Sequence, residues 1–146
     1  MNARFTIRML GPADAKVLDC VAPGVFDNAI DPRWAVEFLA DPRHHMAVAL
    51  LEGQVVGMAS ALHYVHPDKA PELWINEVGV APSQQGKGIG KRLLETLFAR
   101  GRSLGCAEAW LGTEEGNVAA RRLYAAAGGK QELMVYVTFE LTKGPE

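Results

Sequence analysis

Cysteine is scarce in these 146 residues: Cys20 and Cys106 stand far apart and outside any metal-ligand spacing. That argues against a disulfide framework, a zinc site or a redox pair. A basic surplus is missing as well. Fifteen Lys and Arg against 17 Asp and Glu leave a net charge of −2, which does not suit a nucleic-acid binder. No apolar run approaches the roughly 18 residues that a membrane span requires. Repeats, low-complexity stretches and linkers are absent, and the chain enters a strand-like segment directly after Met1-Asn2-Ala3-Arg4. A single domain over residues 1–146, no signal peptide and a cytoplasmic location are the expectation. With 49% hydrophobic and 22% charged residues, the chain reads as a globular protein able to bury about two-thirds of its unfolded surface.

Periodicity and punctuation predict the elements in order. Phe5 to Leu10 reads as a strand, and Gly11-Pro12-Ala13-Asp14 starts a helix to about Val21, which Pro23-Gly24 ends. An irregular stretch carrying Asp27 and Asp31 leads to a short helix from Pro32 to Ala40. His45 to Leu51 and Gln54 to Tyr64 are near-continuous apolar runs joined by Glu52-Gly53, a hairpin whose strands are covered on both faces. Leu73 to Ala81 is the next long strand, and a helix from Gly88 to about Leu104 puts Ile89, Leu93, Leu94, Leu97 and Phe98 on one face. Ala107 to Gly112 reads as a strand. Asn117 caps a helix with Ala120, Leu123, Tyr124 and Ala127 at core spacing, closed by Gly128-Gly129. A last strand sets Leu133, Val135, Val137, Phe139 and Leu141 on a buried face against Met134, Tyr136, Thr138 and Glu140. Helices interleaved with strands predict an α/β or α+β domain around a mixed sheet.

Between the third long strand and its helix lies Gln85-Gly86-Lys87-Gly88-Ile89-Gly90. A strand running into a glycine turn at a helix start gathers backbone N–H groups and the positive end of the helix dipole at one point, which suits an anion. Two nucleotide motifs fail here on single residues. A P-loop needs Ser or Thr after Lys87, where Gly88 stands, and the dinucleotide fingerprint needs glycine at Lys91.

The turn resembles the Q/R-x-x-G-x-G/A segment of the GCN5-related N-acetyltransferases, which wraps the pyrophosphate of acetyl-coenzyme A. Asn117-Val118-Ala119-Ala120-Arg121-Arg122-Leu123-Tyr124 is similar to the family's N-x-x-A-x-x-L-Y helix. The resemblance, specific over Leu73 to Gly128, implies a mostly antiparallel sheet of six to seven strands flanked by about four helices, acetyl-coenzyme A as co-substrate, a ternary-complex mechanism and a homodimer. It implies that Gln85, Gly86, Lys87, Gly88, Ile89, Gly90, Lys91 and Asn117 contact the coenzyme. It also implies that Val78, Gly79 and Val80 offer backbone groups to the pantetheine arm where their strand splays from the next, and that a backbone N–H near Val78 can steady the oxyanion. Short matches at Arg8 to Pro12, Tyr64 to Pro67 and Gln131 to Met134 are similar to the aminoglycoside 3-N-acetyltransferases and imply an antibiotic-modifying enzyme or an environmental relative. Glu77 stands where that group carries aspartate, and Asn117-Val118-Ala119 where an acidic pair and proline are usual.

Two side chains are candidates for catalysis, each with a plainer reading. Glu77, with Leu73, Ile75 and Gly79 expected on its face, would be desolvated and raised towards neutrality, as a general base for an amine requires; otherwise it is a salt-bridged or edge glutamate. Tyr124, which the resemblance places near the coenzyme sulfur, would protonate the leaving thiolate; otherwise it is core packing. Asn117 caps a helix, contacts the coenzyme, or does both. Lys87, Lys91 and Arg92 meet phosphates or form a solvated face. A polycationic acceptor calls for several carboxylates, and Asp27, Asp31, Glu72, Glu77, Glu114 and Glu115 supply them if the fold gathers them round one cleft; otherwise they are surface scatter. His63 and His66 are too few for a metal site. The alternatives are acetylation of another small amine or a peptide N-terminus, and a coenzyme-binding regulatory module without turnover.

Overall fold

The computed structural model describes residues 4–142. Five strands lie in the order β1 (Thr6–Met9), β2 (His44–Leu51), β3 (Gln54–Tyr64), β4 (Glu72–Val80) and β5 (Glu108–Trp110). Neighbours are antiparallel except β4 and β5, which run parallel over Glu72–Trp74 alone. Three α-helices accompany them: α1 (Pro32–Ala40), α2 (Ile89–Ser103) and α3 (Val118–Ala126). The expectation of six to seven strands and four helices is corrected on two segments. Residues after Asp14 make a five-residue 3-10 helix, Ala15–Asp19, and residues 133–141 make no strand ladder. Nor is the predicted apolar face of 133–141 buried: Leu133, Val135 and Leu141 are all at least 85% exposed.

Local chemistry accounts for the elements. Glu52 and Gly53 both take positive φ (51° and 79°), the mirror-image turn that matches strand twist in a two-residue hairpin. Asp31 caps α1 by accepting from the Arg33 N–H, with Pro32 at the first helical position. The interior of β2 and β3 is buried without alternation, so both sheet faces are covered. On one face α2 packs its Ile89, Leu93, Leu94 and Leu97. A Cβ on Gly57 would stand 2.9 Å from Ile89, so that glycine lets the helix approach. Ala35 and Leu39 of α1, with Leu18 of the 3-10 helix, cover the other face.

Candidate active site

One extra residue in β4 decides where Glu77 points. Ser60 of β3 stands opposite Glu77 while its neighbour Ala61 stands opposite Ile75, so Asn76 is bulged out of the ladder. A bulge inverts the alternation beyond it. Leu73 and Ile75 face α2 and are buried, whereas Glu77 turns to the opposite face with Gly79, Ser60 and Met46. The sequence-based placement of Glu77 beside Leu73 and Ile75 is therefore corrected: the carboxylate leaves the core and enters a cavity.

That cavity, about 250 Å³, is lined by Glu77, Met46, Phe26, Asp27, Asp31 and Trp34, among others. A wider depression of about 730 Å³ continues past the 26–30 loop. The loop is seated by two observations. Val55 anchors the chain leading into it through a short parallel bridge at Val21, accepting from Ala22 N at 2.8 Å and donating to Cys20 O at 2.9 Å. Gly79 lets Val25 lie on β4, since a Cβ there would be 2.1 Å from the Val25 carbonyl oxygen. Glu77 is solvent-exposed on one side, yet partial desolvation, then the Asp27 carboxylate, raise its pKa above the ordinary glutamate value. Asp31 moves the other way, lowered by its hydrogen bonds with Arg33.

The coenzyme candidates lie at the end of β4. Among the described residues β5 pairs only with Glu72–Trp74, so the outer edge from Ile75 through Val78, Gly79 and Val80 has no strand partner. Strands that part in this way leave backbone groups free for a ligand. Gly86 and Gly88 take φ of 78° and 82° with nothing within 4 Å of where a Cβ would stand, so the turn faces open space in a conformation that favours glycine. The first turn of α2 has no side-chain cap and no acidic residue, but carries Lys91 and Arg92. Cations there oppose the helix dipole, an arrangement that an anion would reconcile. Arg92 is directed over the Phe5 ring, 4.9 Å from its centroid, leaving Lys87 and Lys91 as the nearer cations. These residues fit the pyrophosphate of a coenzyme.

Other candidates divide. Gln85 donates to the Val80 carbonyl at 3.2 Å and Lys87 to Gln84 at 3.0 Å, so both brace the turn. Gly90 admits Leu123, 2.9 Å from where a Cβ would stand, and thereby packs α3 on α2; Ile89 is core. Asn117 caps α3 through the Ala120 N–H at 3.1 Å. Tyr124 is half-buried on α3, and burial raises its phenol above 10. Of the six acids, Asp27, Asp31 and Glu77 share the cavity. Glu72 does not line it; it sits at the other end of β4, 2.8 Å from His66 Nε2. Glu114 and Glu115 are exposed in the loop before α3 and do not line it either. Sequence reasoning missed Phe26, Trp34 and Phe38 in the cavity wall. Trp34, 70% exposed on a short helix beside the acidic loop, was the available signal. Among the described residues no group of three or more His, Cys, Asp or Glu is placed to hold a metal, and no helix is long and apolar enough to cross a membrane.

A strand edge parted from its neighbour, an uncapped helix start flanked by cations and a carboxylate in a cavity are features that suit a coenzyme-fed acyl transfer. The chain belongs to the acetyltransferase (GNAT) family, whose profile matches residues 18–128, and it is an acetyltransferase that uses acetyl-coenzyme A. It is 31% identical over 110 residues to an uncharacterized N-acetyltransferase of Mycobacterium tuberculosis (strain ATCC 25618 / H37Rv), covering 75% of this chain and 67% of that one. It is 30% identical to the aminoglycoside N(6')-acetyltransferase type 1 of Stenotrophomonas maltophilia, over 93% and 94% of the two chains. Among solved structures it shares the fold of the aminoglycoside N-acetyltransferase AAC(6')-Iy in complex with CoA, with a TM-score of 0.76, 22% identity and coverage of 96% and 97%. Both aminoglycoside enzymes carry the 6' designation, not the 3-N position towards which the short sequence matches point.

Proposed function

We propose that this protein acetylates a primary amine of a small polycation of the aminoglycoside type. The observation that carries the reading is the bulge at Asn76, which brings Glu77 into one cavity with Asp27 and Asp31. Three carboxylates around an aromatic-walled space suit a substrate bearing several ammonium groups, and Trp34 adds a face for a cation or a sugar ring. Acetyl-coenzyme A supplies the acetyl group as a thioester, and its transfer to nitrogen releases the free thiol. The turn from Gln85 to Lys91 would hold the pyrophosphate, with Asn117 beside it, and the open edge at Val78, Gly79 and Val80 the pantetheine. Glu77, raised by its surroundings, accepts the proton of the attacking amine, directly or through water. Asp27 and Asp31 hold the remaining charge. Tyr124 donates a proton to the departing sulfur. A phenol near 10 facing a thiol near 8.5 makes that step uphill by roughly 2 kcal/mol, and burial of Tyr124 adds to it, so the transfer needs hydrogen bonding at the sulfur. In this reading the enzyme works in the cytoplasm as a homodimer.

The test is thiol release from acetyl-coenzyme A with aminoglycosides, simple polyamines and peptides compared as acceptors. Turnover with aminoglycosides alone supports the reading, and the acetylated position in the product decides between 3-N and 6'-N. Preference for peptide N-termini or single-amine acceptors would overturn the acceptor class. Tight coenzyme binding without turnover on any of them would favour a regulatory module.

A further inference from the structure

The sheet face that carries Glu77 does not end at the cavity. Ser60 stands opposite Glu77 and Met46, and two residues further along β3 Leu62 stands opposite Trp74 and His44. Trp74 is therefore the next side chain on the Glu77 face of β4, about 7 Å along the strand. Trp110 is its partner across the parallel β5 ladder and shares that face. The two indoles are stacked, with ring centroids 5.9 Å apart and planes 29° from parallel. They occupy the last rung of the β4–β5 pairing, where the two strands part. Helix α1 lies over this face at β2 and the 3-10 helix lies over it at β3, and both tryptophans keep part of their surface open.

Neighbouring side chains hold the pair in place. Trp110 Nε1 donates to the Tyr64 hydroxyl at 2.8 Å. His66 stands edge-on to the Tyr64 ring, with centroids 5.0 Å apart and planes at 68°, and its Nε2 lies 2.8 Å from Glu72. Lys69 Nζ is 3.7 Å from the same carboxylate oxygen. Glu72 is thus engaged within the chain, and its part is to fix the aromatic set, not to draw an ammonium group. With the Trp110 N–H also satisfied, this surface offers a ligand its ring faces. It offers no backbone groups, since β4 is paired on both sides at Trp74, so it does not suit an extended peptide strand. Flat, part-exposed indoles suit the apolar face of a sugar ring.

We propose that Trp74 and Trp110 form a second acceptor subsite, a stacking platform next to Glu77 that takes the second ring of a linked amino sugar. The inference rests on the acceptor reading above and adds a requirement of shape to it. The carboxylates of the cavity select for charge. The platform selects for a ring beyond the one that bears the reacting amine, and its contribution is binding that substrate and transition state share.

The test is calorimetric binding to the full chain with coenzyme A present, alongside thiol release from acetyl-coenzyme A. Neamine, which joins two amino-bearing rings, is compared with spermine, which matches it in ammonium number and has no ring. The wild type should bind neamine the more tightly. Trp74→Ala should weaken neamine binding by about tenfold and raise its KM with kcat nearly kept, while Trp74→Phe restores most of the loss and spermine is unaffected. Equal weakening of both ligands would reduce the pair to support for the cavity wall. Unchanged neamine affinity, or a loss confined to a peptide acceptor, would assign the face elsewhere. Each of these results overturns the platform. A wild type that binds neamine without acetylating it fails the acceptor reading alone, and one that does not bind neamine fails both. If Trp74→Ala does not fold, the wild type decides, because neamine bound no more tightly than spermine overturns the proposal.

Discussion

Partial desolvation, and after it the Asp27 carboxylate, raise the cost of ionising Glu77. A general base works only when ionised, so kcat/KM should fall as pH drops through the Glu77 pKa, with the limb above the ordinary glutamate value near 4.5. Removing the neighbouring charge in Asp27→Asn should move that limb to lower pH while weakening the acceptor KM. Glu77→Gln should reduce kcat/KM by about 100-fold or more and abolish the limb. Rate profiles from pH 4 to 9 measure both, and an unmoved limb in Asp27→Asn would show that another group controls it. Tyr124 is open to a parallel check. Because burial leaves its phenol neutral, Tyr124→Phe should lower kcat by about tenfold or more, with little effect on the KM for acetyl-coenzyme A. Retained turnover in that variant would reduce Tyr124 to packing between α3 and the core.

Two elements meet at Gly79, where the loop carrying Val25 to Asp27 lies against β4. A methyl group in Gly79→Ala would fall 2.1 Å from the Val25 carbonyl, so the loop must move and the cavity wall with it. The expected result is a loss of at least tenfold in kcat/KM for the acceptor, with a smaller loss of calorimetric affinity for acetyl-coenzyme A, since Gly79 borders the pantetheine edge but the turn from Gln85 to Gly90 is not in that contact. Equal loss of both would mean that β4 itself is distorted. This junction also marks where the sequence was legible. The hairpin at Glu52-Gly53, the helix start at Pro32, the cap at Asn117, the α2 face and the glycine turn all follow from local rules, and each is present. The bulge at Asn76 was not legible, because apolar residues run on both sides of it and no glycine or proline marks it. A pattern of period two then assigned Glu77 to the wrong face. Gathering Asp27 and Asp31 with Glu77, and leaving Glu72 and Glu114 outside, depends on how a loop docks across the sheet, which spacing along a chain does not encode. The final strand fails for the opposite reason: its alternation is clear, but nothing within one chain meets it.

Across the whole molecule, one buried pair should govern acid stability. His45 on β2 is 3% exposed beneath α2, with its Nε2 2.7 Å from Nδ1 of His63 on β3, so one ring donates and the other accepts. Burial, then repulsion from His63, Arg100 and His44, lower His45 from 6.5 to about 4, with Asp41 acting weakly the other way. Between those two pH values the unfolded chain binds a proton that the folded chain refuses. Stability is therefore complete above about pH 6.5 and falls as the pH drops towards 4, by about 2 kcal/mol once screening around the partly exposed His63 is allowed for. Glu77 works in the opposite sense, since its raised pKa makes the folded chain hold a proton that the unfolded one has lost. Comparison with a variant isolates the histidine. Urea midpoints of the wild type and His45→Phe at pH 7.5, 6 and 4.5 should converge as the pH falls, because only the wild type loses the His45 contribution. A constant difference between the two curves would mean that His45 takes up its proton equally in both states and that the pair with His63 opens to water before the fold gives way.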